Sequence, residues 1–339
     1  MRAVVIHEPK DVRVEEWPTP DCGPGEVLVQ VGATGVCAGD LYVYLGKNPY
    51  VQYPQVCGHE IAGIVAEVGL GVEDLQVGAA VVVEPFIGCG ACYPCRVNRP
   101  NCCRNLQIIG LHRPGGFAEY VLAPARNVHR VPEGLPLHRA ALAEPVAIAV
   151  HACRRGAVGS DDLVLVLGCG PIGLALIEVA RARGARVLAT DVVADRREAA
   201  SQLGAEVLPP KEALLPALLD RTGGEGAPVV MEATGNPKAM EQTAALVASA
   251  GRIVIVGLVP EGVQVSFPGL DFTRKEMTIL GSRASTGCFP EALGLIASGQ
   301  IRYADFATQF DLWEAPRVLR QMAEDPATVR KAILVRTEA

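Results

Sequence analysis

Four cysteines in one short stretch have the types and spacing to do chemistry together: Cys89, Cys92, Cys95 and Cys103. Two residues between each of the first three thiols, with seven before the fourth, let the backbone curl around a single point. A closed shell of four soft sulfur ligands holds zinc for structure rather than for reaction. Gly88, Gly90 and Pro94 supply the turns such a lobe needs. Cys102, beside Cys103, leaves the identity of the fourth ligand open. Disulfides would suit a small secreted chain, whereas these 339 residues start without a secretory-type leader and have ample apolar sequence. Further upstream stand Cys37, His59 and Glu60, the ligand types of a zinc that keeps one position open. Alone, Cys37 reads as a buried thiol and His59 as a packed or solvated ring. Together, just ahead of the quartet, they predict a second metal site.

A third constellation begins at residue 163. The apolar run Leu163–Leu167 is followed by Gly168, Gly170, Pro171, Ile172 and Gly173, a helical run to Arg183, a second apolar run from Arg186 to Thr190, and then Asp191. Strand, glycine turn, helix, strand and acid form the dinucleotide-binding pattern. Gly168 permits the turn, Gly170 lets a pyrophosphate approach the backbone, and Gly173 allows close packing. Unpaired N–H groups at the helix start favour the anion. A carboxylate at Asp191 accepts hydrogen bonds from an adenosine ribose and repels a 2′-phosphate, which favours NAD over NADP. Arg196 and Arg197, close by, pull the other way.

The elements that must position these residues fall into two blocks. To about residue 145, short apolar runs (3–6, 27–31, 61–68, 79–83) alternate with glycine and proline turns, which predicts an all-β, barrel-like domain. From about 160, strands near 228–233, 252–256 and 277–280 alternate with helices, which predicts a doubly wound parallel sheet. A helix near 290–298 and a last strand near 331–335 follow, the strand rejoining the first domain. Half the residues are hydrophobic, a fifth are charged and the net charge is −6, so a disordered chain and a general nucleic-acid surface are excluded. The longest apolar run is short and glycine-rich, which argues against a membrane span. Eleven cysteines without a leader point to the cytoplasm.

The sequence resembles the zinc-dependent medium-chain dehydrogenases, the alcohol, sorbitol and threonine dehydrogenase superfamily, over nearly its whole length. The resemblance lies in Gly58-His59-Glu60-Ile61-Ala62-Gly63 with Val68-Gly69, the cysteine quartet, Gly115-Gly116-Phe117-Ala118-Glu119-Tyr120, Glu144-Pro145 and the glycine fingerprint. It implies an α/β protein with a chaperonin-10-like β-barrel catalytic domain (1–145 and 285–339) and a Rossmann domain (146–284). It implies two zinc ions per chain: a catalytic one held by Cys37, His59, Glu60 and Glu144, with the carboxylates direct, through water or in exchange, and a structural one in the quartet. By the same resemblance Ile172, Asp191, Arg196, Val256, Gly257, Leu258, Ser282 and Arg283 line the NAD site, and Asp40 supports the catalytic metal. The implied reaction polarises a substrate hydroxyl on zinc while a hydride passes from its carbon to the nicotinamide.

One position departs from the family. A serine or threonine usually stands two residues after the zinc cysteine and relays the substrate proton; here that residue is Gly39. The segments 275–290 and His112-Arg113 resemble the sugar-acid branch, which makes aldonates and polyols the expected substrates, with threonine or a simple alcohol as alternatives. Arg113 and Arg283 are candidates to meet a substrate carboxylate. A dinucleotide-binding regulatory or structural protein is the non-enzymatic alternative, although it would have no use for Cys37, His59, Glu60 and Glu144 together. The apolar strand and turn 250–259 suggest sheet-edge pairing into a homotetramer, with a dimer second.

Overall fold

Short β-branched runs between glycine and proline turns cannot bury both faces alone, so they pair into sheets. In the computed structural model, which describes residues 1–325 and 328–337, the chain divides into two compact units. The first comprises Met1–Glu144, Phe289–Ser298 and Ala304–Ala339; the second comprises Pro145–Cys288 and Gly299–Tyr303.

In the first unit one sheet runs Val128–Arg130, Ala80–Val83, Glu60–Val68, Glu26–Val36, Lys331–Val335 and Ala307–Asp311, with Tyr120–Pro124 also paired to Glu26–Val36. Its pairings are antiparallel except the last, Ala307–Asp311 with Lys331–Val335. A smaller sheet joins Arg2–Glu8 to Asp11–Glu16 and to Gln55–Val56. Alternating inward residues form two cores, one around Val29, Val31, Ile61 and Val81, the other around Val4, Ile6, Phe117 and Leu334. Each such fully buried side chain contributes about 1.5–3 kcal/mol. The register decides what surrounds Cys37. Gly35 lies opposite Glu60 on one side, and Val36 opposite Ala332 on the other.

The first block is not all β. A helix, Ala38–Tyr44, starts directly after Cys37, with Asp40 in its first turn. Another, Ala143–Arg155, carries Glu144 in its first turn. The strand Ala307–Asp311 has no sequence-based counterpart; it is polar and partly exposed.

The second unit holds a six-stranded, wholly parallel sheet in the order Glu206–Val207, Arg186–Thr190, Leu163–Leu167, Ala227–Glu232, Val247–Ile255, Thr278–Gly281. Counted from Leu163–Leu167 this is 3-2-1-4-5-6, the doubly wound dinucleotide-binding order. Thr278–Gly281 forms one edge, so the segment 250–259 lies one strand in. The expected division placed all of 285–339 with the first domain, whereas 285–288 and Gly299–Tyr303 belong to the second unit. Gly299–Tyr303 is tied there by Glu178, buried on the helix Pro171–Ala182, which accepts the N–H groups of Arg302 and Tyr303 at 2.8 Å each. Among the described residues no helix is long and apolar enough to cross a membrane.

Candidate functional site

The strand Glu26–Val36 delivers Cys37, and the neighbouring strand begins at Glu60, just after His59. Ligand atoms of Cys37, His59 and Glu60 lie within 4.8 Å of one another. One buried carboxylate organises them. Asp40 accepts the Cys37 N–H at 2.8 Å and the Gly58 N–H at 3.1 Å, and its Oδ1 lies 3.5 Å from His59 Nδ1. Burial alone would lift the Asp40 pKa, but His59 and those N–H groups outweigh it and hold the carboxyl below its ordinary value. Burial opposes protonation of His59 in turn, yet Asp40 and Cys37 raise its pKa well above the usual one.

Glu60 is 1% exposed. One oxygen pairs with Lys331 Nζ, which also donates to Val36 O at 3.1 Å. The other, Oε2, is buried and finds no hydrogen-bond partner among the described residues. Gly35 makes room for it, since a Cβ there would fall 1.9 Å from that oxygen. A buried carboxylate oxygen without a donor, beside a thiol and an imidazole, is an atom a cation would satisfy. The sulfur, nitrogen and oxygen donor set fits zinc with a position left open.

Glu144, 3% exposed, belongs to the same charged neighbourhood. Burial pushes its pKa up to about 7, with Glu60 and Asp40 adding to the rise and His59 and Lys331 opposing it. It stands outside the trio whose ligand atoms converge. Lys331 was not read from the sequence. Its only signal is a lone lysine opening an apolar strand, a pattern that ordinarily marks an exposed strand end.

The ligand atoms of Cys89, Cys92, Cys95 and Cys103 also lie within 4.8 Å of one another. Cys103 is buried and accepts the N–H groups of Cys89 and Asn105 at 3.3 Å; Cys102 is exposed and lies outside the set. The N–H groups of Arg104 and Cys95 draw the Cys92 thiol down to about 6. Burial and its neighbouring thiols push Cys95 up to about 12. Adjacent thiolates repel, so a cation is what lets all four ionise.

In the second unit Gly168 sits at φ +93°, and a Cβ on Gly173 would fall 1.9 Å from Gly168 O, so both positions require glycine. A Cβ on Gly170 would meet nothing within 4 Å. Gly170 precedes the helix Pro171–Ala182, whose start, including Ile172, has no side-chain cap. Open space before an uncapped helix start fits a pyrophosphate. Asp191 is buried and accepts the Cys169 and Val193 N–H groups at 2.8 Å. Arg197 donates to the Asp191 carbonyl at 2.6 Å, while Arg196 stands 3.9 Å from its carboxylate and is half-exposed. Val256 and Gly257 both donate to Glu232 O; Leu258 is exposed; Ser282 is buried. Arg113 donates to Glu26 at 3.1 Å, so its charge is already met by a carboxylate.

Two family models match the chain: the alcohol dehydrogenase GroES-like domain over residues 23–133 and the zinc-binding dehydrogenase over residues 171–298. An L-galactonate-5-dehydrogenase of Escherichia coli is 38% identical over 89% of this chain and 88% of its own. An L-threonine 3-dehydrogenase of Pyrococcus abyssi is 41% identical over 78% of each. The chain belongs to the zinc-dependent medium-chain alcohol dehydrogenase family.

Solved structures agree over almost the full length of this dehydrogenase. An E. coli alcohol dehydrogenase complexed with NADH superposes with a TM-score of 0.92 at 31% identity, covering 99% of both chains. A zinc-binding dehydrogenase of Sinorhizobium meliloti bound to NADP does so with a TM-score of 0.92 at 32% identity, covering 98% of both. The dehydrogenase is therefore a zinc- and NAD(P)-linked oxidoreductase acting on a small-molecule substrate, with a GroES-like unit and a Rossmann unit.

Proposed function

We propose that this dehydrogenase oxidises a secondary alcohol of a sugar acid or polyol, with NAD as the hydride acceptor. The observation that carries the proposal is the convergence of Cys37, His59 and the undonated Glu60 oxygen on one buried point. Zinc held there would supply Lewis acidity toward a substrate hydroxyl, and a dinucleotide held by the second unit would serve as hydride acceptor. Cys37, His59 and Glu60 would hold the metal. Asp40 fixes the backbone that carries two of them, and Lys331 fixes one Glu60 oxygen so that the other stays directed at the cluster. Glu144 is assigned as the exchanging carboxylate. The cysteine quartet would hold the second, structural zinc.

The sugar-acid reading is supported by the galactonate dehydrogenase relative and by the motifs around residues 112 and 275–290. The threonine dehydrogenase relative favours a second reading, oxidation of an amino-alcohol. Reduction of NAD across aldonates, polyols and threonine separates them. The highest kcat/KM is expected on an aldonate or polyol, and a threonine preference would overturn that.

The NAD preference rests on the buried carboxylate of Asp191, which meets a ribose hydroxyl more favourably than a 2′-phosphate. Gly168, Gly170, Pro171, Ile172, Gly173, Val256, Gly257, Leu258, Ser282, Arg283 and Arg196 would complete the dinucleotide site. Asp191→Gly should erode the NAD preference in kcat/KM; equal use of both cofactors by the parent would show that Arg196 and Arg197 prevail. We assign a homotetramer, with a dimer second, and a monomer in light scattering would refute it.

A further inference from the structure

Glu232 ends the strand Ala227–Glu232 and is 0% exposed. Its carboxylate accepts the Thr234 N–H at 2.7 Å, the Thr234 hydroxyl and the Gly235 N–H at 3.3 Å. Its own carbonyl accepts the N–H groups of Val256 at 2.9 Å and Gly257 at 3.0 Å. A Cβ on Gly257 would lie 2.6 Å from Glu232 Oε2 and 2.2 Å from Gly235 N. Two turns at the carboxyl ends of adjacent strands thus pack backbone to backbone over one carboxylate. Burial raises its pKa above the ordinary carboxylate value, the Thr234 and Gly235 donors of its own turn oppose that rise, and no cation is among the groups that act on it.

Strand order says what should lie above. Asp191 follows one strand, the glycine turn follows the next, and Glu232 and Val256 follow the two after that. A dinucleotide with its adenosine ribose at Asp191 and its pyrophosphate at the start of helix Pro171–Ala182 must place its nicotinamide half over the Glu232 and Val256 turns. The oxidised nicotinamide ring carries a positive charge and the reduced ring none. We propose that Glu232 tunes redox discrimination, its buried and cation-free carboxylate shifting the site's relative affinity toward the oxidised dinucleotide. This rests on the assignment of Asp191 to the adenosine end. It suits an enzyme that must load NAD and release NADH.

The test is Glu232→Gln in the zinc-loaded full chain, with dissociation constants for NAD and NADH measured by calorimetry. The variant keeps shape and removes charge. The NAD constant should rise about tenfold and the NADH constant about twofold, so their ratio shifts about fivefold. Equal weakening of both, or no change in either, overturns the proposal, because a merely structural clamp would not distinguish the two rings. Thr234→Val keeps the charge and loses one donor. There both affinities should fall together with the ratio unchanged, and a shifted ratio is a second way to overturn the proposal, available even where Glu232→Gln fails to fold. If the parent binds neither dinucleotide, the cofactor assignment fails and the proposal with it. If the parent binds both and Glu232→Gln leaves the ratio untouched, only the proposal fails.

Discussion

The cysteine quartet draws all its ligand atoms from the single stretch Cys89–Cys103, three of them at least partly exposed. The Cys37, His59 and Glu60 cluster takes its ligands from the adjoining ends of two paired strands and depends on charged residues beyond them: Asp40, Glu144 and, 271 residues from Glu60, Lys331. The first cluster is a property of a loop; the second is a property of the sheet that carries it. Ligand types alone therefore do not say how a metal site will fail. A local cluster should lose its ion and its lobe, whereas a cluster set in a sheet should also expose the sheet to whatever its buried charges do when unpaired.

The largest effect that would sharpen this contrast is on turnover. Cys37→Ala should lower kcat at least about a thousandfold, since metal activation of the reacting group is worth several kcal/mol. The protein should stay folded with one zinc by elemental analysis, and full activity in a purified sample would break the assignment. Next comes Lys331→Met. It leaves Glu60 buried without its cation, and removing one partner of a buried pair costs about 3–5 kcal/mol. Urea unfolding should show the loss, and adding Glu60→Gln should recover much of it. A Lys331→Met protein as stable as the parent would mean that the sheet does not depend on the pair.

Smaller still is Cys92→Ala, which should remove one zinc and lower the melting temperature by roughly five to ten degrees, because structural zinc contributes folding energy directly. The folded fraction should turn over at the parent rate. A loss of kcat with unchanged melting would erase the distinction between the clusters. The smallest is Gly39→Ser. A Cβ there meets only His59 Cε1, at 3.5 Å, an ordinary contact, so serine fits. If the missing hydroxyl limits proton removal, the rate on the acid side should rise by a factor of a few. A raised KM with an unmoved pH profile would instead mean that Gly39 makes room for the substrate.

What could be read from the sequence follows the same division. The quartet and the glycine turn were legible because their partners are near neighbours in the chain. Gly168 at positive φ and Gly173 against Gly168 O are constraints a few residues long. Cys37, His59 and Glu60 were legible as residue types, and the family resemblance grouped them. Lys331 was not, because lysine at the head of an apolar strand ordinarily marks an exposed end. Only the insertion of Lys331–Val335 between Glu26–Val36 and Ala307–Asp311 buries it. The helix Ala38–Tyr44 was hidden by its β-rich surroundings, although Asp40 caps it as an acid in the first turn should. Glu178 and Glu232 escaped because one reads as an ordinary acid within a helix and the other as an ordinary acid at a strand end, while each has its carboxyl bound by backbone N–H groups of a turn or neighbouring segment.

The distance in sequence between Glu60 and Lys331 also sets an order of events during synthesis. Glu60 leaves the ribosome early, and the lysine that meets its charge follows 271 residues later. At ordinary elongation speeds that interval is about 15–55 seconds. The cysteine lobe, complete once Cys103 is made, can bind its ion through most of that time. The reactive cluster cannot reach its final charge balance until Lys331 has been made. Ribosome-bound chains halted shortly before Lys331 should therefore hold zinc in the quartet while Cys37 remains open to alkylation.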